Sequence, residues 1–206
     1  MWDCHPEFVP LLRRFTVDAL REHAGTVFGL WPDLTLACTN PAWHKFANDN
    51  GGELRDWLLG TSIVSTFGPL TEFYTTALER CLRTQTEWEH LYECSSPQLF
   101  RKFLMKVYPL GNSEGLLVVN SLVVECLHDV ASRNFGEEVY RDATGFAHMC
   151  AHCRRFQRQD DSDAWDWIPV YVSNLPEDVS HGLCPVCFRY HFPAEVELAE
   201  SKGMRI

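Results

Sequence analysis

The sequence predicts an α+β fold: one antiparallel sheet flanked by helices, followed by a small four-cysteine subdomain. Three observations predict it. Residues 86–124 contain three strand-like apolar runs separated by turn residues, and residues 8–23 and 69–83 place apolar side chains at helical spacing. Four of the nine cysteines form two C-x-x-C pairs close to the C-terminus. With 206 residues the chain has room for one ordinary domain plus something smaller, and 46% hydrophobic residues suffice for a packed core.

The elements follow in order. Residues 8–23 put Leu11, Leu12, Phe15, Ala19 and Leu20 on one stripe, with Arg13, Arg14, Asp18 and Arg21 largely off it, so residues 1–23 are expected to form an N-terminal amphipathic helix. Residues 26–30 and 34–39 flank Trp31-Pro32-Asp33 and read as a hairpin. Asn40-Pro41 then supplies a helix cap and a proline for the first helical position, and Asp49-Asn50-Gly51-Gly52 ends that helix. A longer helix over 69–83 points Phe73, Ala77, Leu78, Cys81 and Leu82 inward. Residues 86–94 alternate, with Trp88, His90, Tyr92 and Cys94 on one face and Glu87, Glu89 and Glu93 on the other. After a turn at Ser95-Ser96-Pro97, residues 99–110 alternate again and carry Lys102 and Lys106, placed to meet those glutamates across the ladder. A glycine-bounded turn at 111–115 leads to residues 116–124, apolar enough for a central strand. Residues 24–127 are expected to form the domain, 128–147 a polar linker with a short helix near 137–141, and 148–206 the tail.

Composition excludes several classes of partner. The net charge is −10, which repels phosphate backbones and anionic membrane surfaces. The basic cluster Arg154, Arg155 and Arg158 is answered by Asp160, Asp161 and Asp163. The longest apolar run, residues 115–127, is interrupted by Asn120, Ser121 and Glu125 and is too short for a membrane span. The opening MWDCHPEFVP has neither the basic nor the apolar region of an export signal. A cytoplasmic protein with no nucleic-acid and no membrane partner is expected.

Cys4, Cys38, Cys81, Cys94 and Cys126 are scattered singly among apolar residues, and most of them read as small buried hydrophobes. Cys150, Cys153, Cys184 and Cys187 differ, because paired cysteines in a reducing compartment point to metal before disulfide. Four thiolates around Zn²⁺ make a closed tetrahedral shell, a structural site with no open position for substrate. The 30 residues between Cys153 and Cys184 exceed the usual separation, leaving space for a strand or helix carrying Trp165, Trp167, Ile168, Val170 and Tyr171. Iron–sulfur, a redox disulfide and unligated thiols are the alternatives to structural zinc. His148, His152 and His181 crowd the cysteines and are expected beside the shell or on the surface rather than in it. Arg154 and Phe188 follow the two pairs where c-type haem attachment would need histidine.

The residues Phe28-Gly29-Leu30-Trp31-Pro32-Asp33-Leu34-Thr35-Leu36-Ala37-Cys38-Thr39-Asn40-Pro41-Ala42-Trp43 resemble the opening hairpin and helix of PAS domains. Phe46-Ala47-Asn48-Asp49-Asn50-Gly51 continues in the same manner, and the three closing strands are similar to the family's long hairpin and final central strand. The resemblance covers residues 24–127. The tail, with Cys150-Ala151-His152-Cys153, a tryptophan-containing stretch, and Ser180-His181-Gly182-Leu183-Cys184-Pro185-Val186-Cys187, resembles a segment found after PAS or receiver domains in bacterial sensory proteins. The resemblance implies a non-catalytic sensory or regulatory protein, its PAS domain recognising a small ligand or a signalling partner. No flavin or haem is expected. The Asn-Cys-Arg-Phe motif of flavin photosensors is missing, and residues 70–84 lack the histidine of haem versions, with only His44 and His90 elsewhere in the domain. No Ser-His-Asp order, phosphate-binding glycine loop or kinase motif occurs. Two alternatives stand beside the sensor: a thiol–disulfide switch or oxidoreductase using the C-x-x-C pairs, and a protein–protein adaptor without ligand. The stripe on residues 8–23 argues for a homodimer, since an apolar face of that width needs cover.

Overall fold

The computed structural model describes residues 2–49, 57–96, 98–127 and 136–203. The expected helix break at Asn50–Gly52, the Pro97 turn residue and residues 128–135 of the expected linker lie outside the described residues. The chain divides into two compact units: residues 1–92 with 103–123, and residues 93–102 with 124–206.

The first unit holds strands β1 (Asp3–Cys4), β2 (Val27–Leu30) and β3 (Leu36–Thr39), and most of β4 (Trp88–Glu93), β5 (Leu99–Leu110) and β6 (Gly115–Leu127). Helices α1 (Val17–Glu22), α2 (Pro41–Asp49) and α3 (Thr71–Thr84) complete it. The sheet order is β1-β3-β2-β6-β5-β4. β1, β2 and β3 pair antiparallel, as do β2 and β6. This is the α+β class the sequence predicts.

Burial of both sheet faces explains why the central strands read as unbroken apolar runs. On β6, Leu116 and Val118 pack with Phe28, Leu30, Leu78 and Leu82, whereas Leu117 packs on the opposite face with Val27, Ala37 and Cys38. The inward positions of α3 are Tyr74, Ala77, Leu78, Cys81 and Leu82, so Tyr74 rather than Phe73 is the buried aromatic of its first turns. The expected cross-strand pairing is present as Lys106 Nζ to Glu89 Oε1 at 2.6 Å.

The sequence predicts a sheet flanked by helices, and one of its faces shows what became of the N-terminal segment. Residues 8–23 are not one helix. Residues Val9–Leu12 make a single 3₁₀ turn, and α1 starts after Thr16. Tertiary packing overrides the helical period: Phe8, Leu12 and Leu20 are buried against the sheet, with Leu11, Phe15 and Val17 packed beside them. Phe8 sits in a slot made by two glycines. A Cβ on Gly29 would lie 2.3 Å from the Phe8 ring, and one on Gly115 would lie 2.8 Å from it. The stripe is thus covered by its own sheet, apart from the exposed Ala19, which removes the ground for expecting a dimer through this segment.

Asn40 ties these layers together. Its Oδ1 accepts from the amides of Val27 and Trp43, each at 3.0 Å, which caps α2 as Asn40-Pro41 predicts. Its Nδ2 donates to the carbonyls of His23 at 3.2 Å and Gly25 at 3.0 Å, holding the end of the N-terminal segment. The β2–β3 turn is closed by Asp33, whose Oδ1 accepts from the Thr35 hydroxyl at 2.7 Å and the Thr35 amide at 3.1 Å.

The second unit contains β7 (Ala147–Cys150), β8 (Phe156–Gln157), β9 (Trp165–Asp166) and β10 (Val179–Gly182), in the order β10-β7-β8-β9. Helices α4 (Pro169–Ser173), α5 (Pro185–His191) and α6 (Pro193–Ser201) accompany them. Its apolar core is Tyr140, Ala147, Met149, Phe156 and Ile168. Tyr140, read from sequence within the linker, is 1% exposed and donates to Asp166 Oδ2 at 3.0 Å. Among the described residues, no helix is long and apolar enough to cross a membrane.

Candidate metal centre

Each C-x-x-C pair sits on a turn shaped by the local sequence. The first joins β7 to β8. The Cys150 amide donates to the Arg155 carbonyl at 2.8 Å, and the Arg154 amide returns to the Cys150 carbonyl at 2.8 Å. Closing so tight a turn puts Arg154 at φ 59°, in the left-handed region. The second pair opens α5: Cys184 caps the helix, Pro185 occupies its first position, and the Cys187 amide donates to Cys184 Sγ at 3.4 Å.

Parallel pairing brings the two turns together. β10 runs alongside β7 with Val179 opposite Ala147 and Gly182 opposite Cys150, and the Ala151 amide extends the ladder to the Gly182 carbonyl at 2.8 Å. Both strands therefore end at the same place, each delivering its own cysteine turn. The four Sγ atoms of Cys150, Cys153, Cys184 and Cys187 lie within 4.8 Å of one another, and all four residues are buried. Trp165 and Leu183 pack against them.

The spacing suits a metal and not a disulfide. Four sulfurs about 2.3 Å from one tetrahedral ion stand about 3.8 Å apart, and Cys153 Sγ to Cys184 Sγ is 3.8 Å. A disulfide needs about 2.05 Å, and all four cysteines are free. The thiols themselves are in conflict. Hydrogen bonds from Cys153, and then from Cys184 and Cys187, draw the Cys150 thiol far down, while Cys150 above all pushes Cys153 and Cys187 far up. One sulfur can ionise by borrowing its neighbours' protons, and a central cation is what allows all four to do so. Four buried cysteines in this arrangement could hold a metal ion.

Of the three neighbouring histidines, His148 turns to Asp142 Oδ2 at 3.0 Å and His181 is exposed on β10. His152 stays inside. Its Nε2 accepts from the Glu93 amide at 3.2 Å, and its Nδ1 lies 2.8 Å from Nε2 of His191. Accepting at Nε2 places the His152 proton on Nδ1, to be donated to His191, so both rings are neutral. Burial lowers the pKa of both, and beside His152 that of His191 falls to about 4. Arg155 completes the surround. Burial opposes its charge, yet Cys153 and Glu93, the latter at 3.7 Å, raise its pKa.

His191 and Glu93 were missed in the sequence. His191 carried a usable signal, since it lies four residues after Cys187 in a helix and so shares its face. Glu93 carried none, because it comes from the tip of the β4–β5 hairpin.

No family model and no curated protein matches the sequence. Among solved structures the chain is similar to the PAS domain of an HTR-like protein from Haloarcula marismortui. That match has 18% identity and a TM-score of 0.34, over 57% of this chain and 95% of that one. It is also similar to the PAS domain of nitrogen regulation protein NR(II) from Vibrio parahaemolyticus, with 12% identity and a TM-score of 0.31, over 52% of this chain and 95% of that one.

Proposed function

We propose that the protein is a non-catalytic regulatory module, in which a PAS-like unit recognises a partner and a structural zinc ion holds the tail together. The observation that carries the zinc assignment is the closed set of four buried sulfurs within 4.8 Å. Cys150, Cys153, Cys184 and Cys187 would fill a tetrahedral shell and leave no position for substrate, which makes the site structural. Thiolate softness selects zinc over magnesium or calcium.

The character of the PAS-like unit follows from its occupied face. Trp43, Trp57, Phe67, Trp88 and Met105 pack against the apolar cluster between the sheet and α3. Trp88, His90 and Tyr92 follow one another along β4, with ring centroids 5.3 and 6.4 Å apart. Side chains of the unit itself take up this space, which favours recognition of a signalling protein over enclosure of a small ligand.

One preparation tests both halves. Elemental analysis of the purified chain is expected to give one zinc per molecule, and cobalt exchange the visible bands of a tetrahedral thiolate site. A folded tail with no metal and four freely alkylated thiols would overturn the zinc assignment. Mass spectrometry of a denaturing extract is expected to find no stoichiometric organic molecule, and finding one would replace partner recognition with ligand sensing.

A further inference from the structure

Two cysteines that are 34 positions apart in sequence face each other in the first unit. β1 pairs antiparallel with β3, with Asp3 opposite Thr39 and Cys4 opposite Cys38. The His5 amide donates to the Ala37 carbonyl at 2.8 Å, which sets the phase of the ladder. That bond joins residues flanking the cysteine pair on either strand, which makes Cys4 and Cys38 a non-hydrogen-bonded pair. Cα atoms in such a pair stand about 4.5 Å apart with their side chains close, within the roughly 4.4–6.8 Å that a disulfide spans.

Both thiols are free. Their exposure differs: Cys38 is fully buried, between Cys4 on one side and Gly29 of β2 on the other, while Cys4 is half-buried on the edge strand. Solvent reaches one cysteine and not its partner.

We propose that Cys4 and Cys38 are a reversible oxidation site that reacts with low-molecular-weight disulfides, Cys4 attacking and Cys38 resolving. The Cys4 thiolate attacks one sulfur of a disulfide RSSR, forming a Cys4–S–S–R bond and releasing RS⁻, which takes up the proton that Cys4 gave up. The Cys38 sulfur then attacks Cys4 Sγ, its proton leaving with the second RS⁻, and the Cys4–Cys38 bond forms. The dithiol loses two electrons and two protons, and RSSR becomes two RSH. The hydrogen bond between the two sulfurs assists the first step, lowering the Cys4 thiol and raising that of Cys38. The bond would anchor β1, and with it the segment carrying Phe8 and Leu12, to the sheet.

The test uses the full chain as purified. It is incubated with oxidised glutathione, its free thiols are blocked with N-ethylmaleimide, and it is digested without reduction and mapped by mass spectrometry. A peptide linked through Cys4 and Cys38 is expected, lost again on treatment with dithiothreitol. Cys4→Ser should leave Cys38 a free thiol that is alkylated only after denaturation, and Cys38→Ala should stop the reaction at glutathione on Cys4. Glutathione persisting on Cys4 of the unsubstituted chain would overturn the proposal. So would Cys4 joined to a different cysteine, or both thiols remaining free. If Cys38→Ala does not fold, the map of the unsubstituted chain still decides.

Discussion

The two units of this chain solve the problem of a stable interior by different means. The first buries both faces of one sheet, with Phe28, Leu30, Leu116 and Val118 on one side and Phe8, Leu12, Val27 and Leu117 on the other. Among the described residues, the second has a smaller apolar cluster of Tyr140, Ala147, Met149, Phe156 and Ile168, and beside it a cluster made of four cysteines. A small unit with little apolar area to remove from water falls short of offsetting its chain entropy, and a metal ion held by the four cysteines would supply what is missing. The difference teaches that cysteines can be core residues in two senses: Cys38 and Cys81 fill space, whereas the four tail cysteines define it.

The largest expected effect breaks the second unit and spares the first. Cys184→Ser, or a strong chelator, would remove the proposed metal, whose binding energy would be folding energy. Hydrogen exchange should lose protection across β7, β8 and β10 while β2, β3 and the β2-paired part of β6 keep theirs. Retained protection in β7 and β10 after metal removal would show that the apolar cluster suffices alone. The next effect is the converse. Phe8→Ala empties the slot over Gly29 and Gly115 and should cost about 3–5 kcal/mol of first-unit stability, with protection across β7 and β10 unchanged. A denaturant midpoint close to that of the original chain would mean the N-terminal segment is a detachable cover and not core.

The smallest effect is a pH dependence in the first unit alone. The Thr35 hydroxyl, and then the Thr35 amide, hold the Asp33 carboxyl below its ordinary range. A depressed carboxyl stabilises the folded state above its unfolded pKa of about 3.9, and that contribution is lost as pH falls through the lower folded value. Carbon-detected NMR should place the Asp33 midpoint below that of a free aspartate, and Thr35→Val should return it upward. An unchanged midpoint in Thr35→Val would sever the turn from the titration.

How much was legible in the sequence depended on how local the cause was. The Asn40-Pro41 helix start, the Glu89–Lys106 pairing and the two cysteine turns are fixed by neighbours a few residues apart or by strand alternation, and each could be read directly. The N-terminal helix could not, because its period was right but its partner, a glycine-lined slot on the sheet, lies in other strands. Tyr140 looked like linker for the same reason: its polar flanks are local, while its contacts are not. The Cys4–Cys38 pairing depends on a two-residue edge strand too short to leave any periodic trace.

The parallel ladder between β7 and β10 frees the intervening sequence from the site it separates. With Gly182 held opposite Cys150, the distance between the two cysteine turns is set by strand register, not by the 30 residues that join them. Lengthening the exposed turn around residues 160–163 would leave that register untouched. Sliding β10 by a single residue would exchange its two faces and carry its cysteine turn about 3.3 Å along the strand. The segment between the pairs is therefore a place where this architecture can accept insertions, and the four residues of β10 are not.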